Sequence, residues 1–447
     1  MRYSIYNTIL RVNSVYGLLY NALSDEYIVL KNEPYEILQT TDARMLQSVS
    51  PSLYQQLLDV KAIVADDTDE AEQVRALIRS VDEDDTCYHL HVNPTVDCNF
   101  RCWYCYENHV RGSKMSEKTR TAVERLIDNI VAEHPHLQVF DLSFFGGEPL
   151  MYFSPVVRPL MDHLEAVCKE RNIEPVFQFT TNGYLLSDAM VHYFEDKNVS
   201  FQITLDGYRD HHDKTRFPVA GSGSFDRIVS HVKTLVRHQH VVVLRINYTS
   251  DILDGVDRIR DEFDDLEQDV RPLVRVDFQR VWQDDGKSAN ENGVEEQVYG
   301  LIRKFRKSGF TAGSPRTLDR VRCSCYGDKR NYALVNYDGN VFCCTARDFT
   351  EANRAGVLTE DGHLLFDHDE KERRMKSKFS RPVCFQCRIA PICGGGCTQK
   401  AVESPADGRC LYGYTDASID ERVLERFDYK YAVNNLSHAS NHRLPTT

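Results

Sequence analysis

No run in this 447-residue chain approaches the ~20 consecutive apolar residues that a membrane-spanning helix requires. The first residues, Met1-Arg2-Tyr3-Ser4-Ile5-Tyr6-Asn7-Thr8-Ile9-Leu10-Arg11, are too broken by polar side chains to form the apolar centre of a secretion signal. Positive charge is also short. Against 67 Asp and Glu stand 54 Lys and Arg, a net charge of −13, so neither nucleic acid nor an anionic membrane is the expected partner. Fourteen cysteines without a secretion signal do not fit a disulfide scaffold, because a reducing cytoplasm keeps thiols free. The expected setting is therefore cytoplasmic, and the thiols are metal ligands, reactive groups or core residues. Hydrophobic residues at 42% and charged residues at 27% are ordinary for a globular chain of about two to four domains.

Cysteine spacing separates those uses. Asp97-Cys98-Asn99-Phe100-Arg101-Cys102-Trp103-Tyr104-Cys105-Tyr106 carries three thiols as CxxxCxxC, with the aromatic Tyr104 before the last. At a cysteine frequency of about 0.03, chance supplies roughly 0.01 such triplets in a chain of this length. Three thiolates on one tight loop can hold three irons of a [4Fe-4S] cube and leave the fourth open to a substrate or cofactor. A zinc loop or unrelated buried thiols are the alternatives. CxxxCxΦC is the signature of the radical S-adenosylmethionine (SAM) enzymes, and the chain resembles that family. The resemblance implies a cluster whose open iron chelates SAM and cleaves it reductively to a 5′-deoxyadenosyl radical.

Residues 1–85 are expected to form a small domain. Val15–Leu23 and Tyr27–Leu30 read as strands around the turn Ser24-Asp25-Glu26, followed by helices carrying Leu53, Leu57, Leu58 and Val60, then Val74, Leu77 and Ile78. Hairpin plus helices is a winged-helix-like pattern. It resembles the leader-peptide recognition element of peptide-modifying enzymes, which captures an extended peptide along a strand edge; a structural cap is the alternative. The acidic run Asp82-Glu83-Asp84-Asp85 reads as a solvated linker.

From Tyr88 strands and helices alternate. Strands are expected at 89–92, 140–145, 176–180, 200–205, 241–246 and 274–281, with helices starting at the caps Ser116 and Ser154-Pro155. Six βα units over residues 86–310 imply an α/β fold, a partial (β/α)6 TIM-like barrel, with its site at the C-terminal ends of the strands. Gly146-Gly147-Glu148-Pro149 follows the second strand. Its glycines allow close backbone approach to a ligand, and Glu148 offers an acceptor. By resemblance it is the motif that holds the SAM amino group, and Thr181-Asn182-Gly183 matches a further family pattern. Thr204, in Thr204-Leu205-Asp206-Gly207, and Arg216 resemble the residues of the peptide-modifying branch that meet the SAM ribose or carboxylate. A guanidinium fork suits a carboxylate, although a surface ion pair is the plainer use of an arginine. Asn247 is a weaker candidate of the same kind.

Beyond Gly309 cysteine returns, over residues 311–420, before a C-terminal tail at 421–447. Cys325, then Gly339, Cys344, the quartet Cys384-x2-Cys387-x5-Cys393-x3-Cys397 and finally Cys410 resemble the SPASM extension of radical SAM enzymes. A pair of zinc knuckles is the alternative. The resemblance implies two auxiliary [4Fe-4S] clusters. The first would take Cys325, Cys344 and Cys397, with Cys323 the nearest candidate for a further ligand and Cys343 a competitor. The second would take Cys384, Cys387, Cys393 and Cys410. Cys87 and Cys168 stand outside every motif, and His89 and His91 read as packing histidines.

The resemblance implies a maturase that abstracts hydrogen from a precursor peptide bearing a leader segment, forming a thioether or carbon–carbon cross-link, with electrons from a donor such as flavodoxin or ferredoxin. Two alternatives remain. An anaerobic sulfatase-maturing enzyme would oxidise cysteine or serine to formylglycine, but the family places an aspartate after the equivalent of Cys344, where this chain has Thr345. A non-catalytic peptide-binding or electron-transfer protein is the reading from another class.

Overall fold

The computed structural model describes every residue except 220, 222, 251, 282, 284–290, 316–318, 368–369, 405–407 and 438–447. The chain opens with β1 (Arg2–Tyr3) and an antiparallel sheet of β2 (Asn7–Arg11), β3 (Tyr16–Asn21) and β4 (Glu26–Lys31), in the order β2-β3-β4. The helices α1 (Asn32–Thr40), α2 (Ala43–Val49) and α3 (Pro51–Asp59) follow, then β5 (Ile63–Val64), paired with β1, and α4 (Glu70–Asp82). The β3–β4 hairpin matches the sequence expectation. Strand β2 is additional, because the adjacent Ile9 and Leu10 break its alternation.

Alternation along β3 divides its side chains between two cores. Leu19 packs with Leu30, Leu38, Leu46, Leu53 and Leu57 beneath the first three helices. Leu18 and Tyr20 point the other way and join Val74 and Ile78 in a cluster with Val321, Phe379, Ile389, Ile392 and Val423. Half of the N-terminal core is thus completed by residues more than two hundred positions downstream.

The acidic run is only partly solvated, which corrects the linker expectation. Glu83, Asp84 and Asp85 are exposed, but Asp82 is 3% exposed. Val74, Ile78 and Asp82 recur every four residues on α4, so the face that buries the first two carries the third in with them. There Asp82 meets Lys378 Nζ at 2.8 Å and accepts from Ser324 Oγ at 2.5 Å, while Asp328 lies 3.4 Å from the same ammonium.

All six expected barrel strands form: β6 (Cys87–Val92), β7 (Val139–Phe144), β8 (Glu174–Thr181), β9 (Val199–Leu205), β10 (Val241–Tyr248) and β11 (Val274–Arg280). They pair in parallel, each with the next. The helices between them are α5 (Glu117–Glu133), α6 (Arg158–Arg171), α7 (Asp188–Phe194), α8 (Arg209–Thr215) and α9 (Phe225–Arg237); α10 (Glu291–Lys307) then leads to β12 (Thr311–Gly313). Ser116 caps α5 as expected, its Oγ accepting from Thr119 N at 3.1 Å. The other cap moves. Winding begins at Pro149, with Glu148 accepting from Leu150 N at 3.0 Å, so Ser154 and Pro155 fall inside a wide turn ahead of α6.

At the opposite edge, β13 (Tyr332–Val335) lies parallel to β6 and continues as β14 (Asn340–Phe342), β15 (Gly356–Leu358) and β16 (Leu364–Phe366), an eleven-stranded sheet in all. The cysteine-rich region is therefore hydrogen-bonded into the barrel. It ends with α11 (Glu370–Ser377), α12 (Ala390–Cys393), α13 (Thr398–Glu403) and α14 (Asp416–Ser437). Among the described residues no helix is long and apolar enough to cross a membrane.

Replacing Lys378 with alanine strands the Asp82 carboxylate in the interface and should cost about 3–5 kcal/mol of stability in denaturant titrations at neutral pH. Burial already raises the Asp82 pKa against the opposing pull of Lys378. The deficit should therefore narrow as the pH falls and Asp82 takes up a proton.

Candidate active site

The cysteine loop leaves the C-terminal end of β6, and local hydrogen bonds set its path. Asp97 Oδ1 accepts from Cys98 N at 2.8 Å and Oδ2 from Gly112 N at 2.7 Å, while Asp97 N donates to Thr95 Oγ1. The loop after β7 then presses directly on this backbone. Gly146 and Gly147 have φ of +77° and +47°, and a Cβ on Gly147 would stand 2.0 Å from the Asp97 carbonyl oxygen. The glycine pair is thus required for one site loop to pack on the other, besides any ligand it admits.

Glu148 is fully buried, and its oxygens accept from Leu150 N, from Thr181 Oγ1 at 2.7 Å and from Asn182 N at 2.8 Å. The carboxylate ties the loop after β7 to the loop after β8. Asn182 carries the tie onward, its Nδ2 donating to Asn99 Oδ1 at 2.7 Å between Cys98 and Cys102.

Burial raises the free thiols Cys98, Cys102 and Cys105, the first to about 12 and the third to about 11, with Glu148 and Glu107 respectively adding to the shift. Ligation to a metal removes such protons. The donor set fits a cube. Three thiols share one loop, Phe100 N donates to Cys98 Sγ at 3.4 Å, and the Arg216 cation faces all three.

Two of the remaining sequence candidates meet here. Arg216 Nη1 donates to Tyr104 Oη at 2.6 Å, and Asn247 Nδ2 approaches the same oxygen at 3.1 Å. Arg216 is 8% exposed and its Nε has no partner. Beside it Asp206 is 1% exposed, with neither oxygen in good hydrogen-bonding geometry; burial raises its pKa and Arg216 opposes the shift. Thr204 lies on β9 in register with Arg245 of β10, and no hydrogen bond brings it into the Tyr104 group among the described residues. Sequence reading missed the junction at Tyr104 and the inward pair Arg245 and Asp277, whose carboxylate accepts from Gln279 Nε2 at 2.8 Å. Charged residues at alternate positions of β11 were the available signal.

In the C-terminal region Cys384, Cys387, Cys393 and Cys410 border one cavity of about 540 Å³, which fits a cluster held by four thiols. Among the described residues no group of three or more His, Cys, Asp or Glu side chains is gathered closely enough to hold a single metal ion. Cys325 faces Cys344 and Cys397, and Ala346 N donates to Cys344 Sγ at 3.4 Å. Cys343 is turned toward Arg374, Lys371 and Glu370. Cys323 faces Asp319, Arg426 and Arg322, so the structure does not bring it to that trio. Two tyrosines link the regions: Tyr106 Oη donates to the Thr345 carbonyl at 2.7 Å, and Tyr326 bonds the Thr345 hydroxyl.

A parallel barrel with three thiols on the loop after its first strand, bound to the two following loops, is the frame of a cluster-dependent radical enzyme. Residues 92–268 match the model of the Radical SAM superfamily, so the chain carries a radical SAM domain, and members of that superfamily are enzymes that use a [4Fe-4S] cluster and SAM. The cysteine-type anaerobic sulfatase-maturating enzyme of Clostridium novyi (strain NT) is 28% identical over 321 residues, 67% of this chain and 85% of that protein. The radical SAM cyclopropyl synthase TigE of Paramaledivibacter caminithermalis is 24% identical over 336 residues, 67% of this chain and 65% of that protein. The fold is that of native anSMEcpe with bound AdoMet (TM-score 0.58, 16% identity), over 79% of this chain and 100% of that one. It is also that of Streptococcus suis SuiB bound to S-adenosylmethionine (TM-score 0.50, 16% identity), over 94% of this chain and 99% of that one.

Replacing Cys98, Cys102 and Cys105 together with alanine should abolish 5′-deoxyadenosine formation under dithionite and lower iron from about twelve to about eight per chain. Cys323→Ala should leave the iron content unchanged, whereas Cys325→Ala should lose about four irons. Iron analysis and Mössbauer spectra read both.

Proposed function

We propose that the protein is a maturase of a ribosomally made precursor peptide, forming a thioether or carbon–carbon cross-link. The observation that carries this reading is the N-terminal sheet. Its outer strand β4 has no strand neighbour beyond it among the described residues, and Val29 on it is 58% exposed. An open edge of this kind pairs with an extended leader through backbone hydrogen bonds. The same sheet shares a core with the cysteine-rich region, so a leader held there is tethered to the chemistry. The fold likeness to SuiB, which takes in 94% of the chain, extends into this region.

When bound, the cluster and SAM supply a 5′-deoxyadenosyl radical able to abstract an unactivated hydrogen atom. Arg216 and Asn247, already converging on Tyr104, are the groups proposed to hold the carboxylate or ribose of SAM, with Thr204 beside them on β9. The loops tied by Glu148 keep water from the reacting centre. Two auxiliary clusters, on Cys325, Cys344 and Cys397 and on Cys384, Cys387, Cys393 and Cys410, would relay electrons within the protein, with a flavodoxin or ferredoxin as the external electron donor.

A second reading, formylglycine formation, is favoured by the 28% identity to the Clostridium novyi enzyme. Thr345 speaks against it. Its hydroxyl is bonded to Tyr326 and its carbonyl to Tyr106, and threonine supplies no carboxylate where that branch has an aspartate.

Val29→Asp places a charge on the open edge and should weaken leader binding about tenfold or more while SAM cleavage without peptide is unchanged. Mass spectrometry of the precursor encoded beside this gene should show loss of two hydrogens per cross-link, with the leader required. Conversion of a leaderless sulfatase peptide to formylglycine would establish the second reading in its place.

A further inference from the structure

Far from the cysteine loop, the first residue of β6 takes part in a constellation that the radical chemistry does not use. Cys87 Sγ lies 3.5 Å from His89 Nε2, and His89 Nδ1 lies 2.9 Å from Asp141 Oδ2. Asp141 is itself fixed, accepting from Ser143 Oγ at 2.9 Å and from Gln178 Nε2 at 2.8 Å. His89 and Asp141 are buried, whereas Cys87 is half-buried at the N-terminal end of the barrel strands. Five residues of strand, about 17 Å, separate it from the end of β6 where the cysteine loop begins.

We propose that Cys87 is a covalent-modification site for small soft electrophiles, its sulfur activated by the His89–Asp141 pair. A thiol beside an imidazole that a carboxylate orients is the arrangement that makes cysteine nucleophilic. With Nδ1–H donated to Asp141, the other ring nitrogen is left facing the sulfur, and a protonated ring stabilises the sulfur anion. Burial alone would lower the His89 pKa, but its bonds to Asp141 and Cys87 and the Asp141 charge outweigh that and raise it to about 10. The remaining charges are mixed. Lys329 faces Cys87, with Asp82, Asp84 and Lys378 around that lysine, and His91 faces His89 from two residues along β6. In the modifying step the sulfur lone pair forms the new S–C bond as the leaving group departs with its electron pair. No oxidant or reductant is needed.

Iodoacetamide serves as the probe, on cluster-loaded full-length protein without oxygen, with labelled peptides quantified by mass spectrometry. Cys87 should be alkylated at pH 7 at least tenfold faster than a free thiol, and Cys87→Ser should remove that label without altering SAM cleavage. His89→Gln should slow the labelling about tenfold or more, and Asp141→Asn should slow it in the same direction. Because both substitutions touch buried groups, the unsubstituted protein supplies a second measurement. Its Cys87 labelling rate, set against that of the same cysteine in the urea-unfolded protein at the same pH, should be at least tenfold higher. An unlabelled Cys87, or one that reacts at the free-thiol rate, overturns the proposal. So does a folded His89→Gln protein that labels at the original rate.

Discussion

The buried carboxylate of Glu148 is the tie on which the site depends. It accepts from Leu150, Thr181 and Asn182, so one side chain starts the winding after β7, fixes the end of β8 and, through Asn182, reaches the cysteine loop. Burial raises its pKa, and those donors oppose the rise. Gly146 and Gly147 supply the matching constraint, since the two loops touch where a side chain would be. The thiol triplet owes its shape to this packing rather than to its own short sequence.

The auxiliary region is joined to that site by specific bonds. Tyr106 follows Cys105, and Thr345 follows Cys344, and the hydrogen bond between them links the thiol loop of the barrel to that of the C-terminal region. The pairing of β13 with β6 does the same at the level of the sheet. A peptide reaching the barrel mouth would therefore meet a surface drawn from both regions, with Arg245 and Asp277 forming a charged floor beneath it.

Much of this was legible in the sequence because its signals are local. The thiol spacing, the six alternating segments and the Ser116 cap all depend on residues within a few positions of one another. Arg216 and Asn247 were found by resemblance, and the structure brings both to Tyr104. The misreadings share an opposite cause. Asp82 looked solvated because its partner Lys378 is 296 residues away. Ser154-Pro155 carried good cap chemistry, but Glu148-Pro149 carried the same chemistry earlier in the chain.

The divided core of the N-terminal sheet has a consequence for how the protein is made. Leu18, Tyr20, Val74 and Ile78 emerge from the ribosome first, yet Val321, Phe379 and Val423, which cover them, emerge last. At roughly 5–20 residues per second, the interval between Ile78 and Val321 lasts about 12–50 s. Throughout it the nascent chain displays an uncovered apolar face, while the helices on the opposite face can already close over Leu19. The oldest segment of the polypeptide is among the last to mature, and a chaperone able to mask that face is a natural companion of its synthesis.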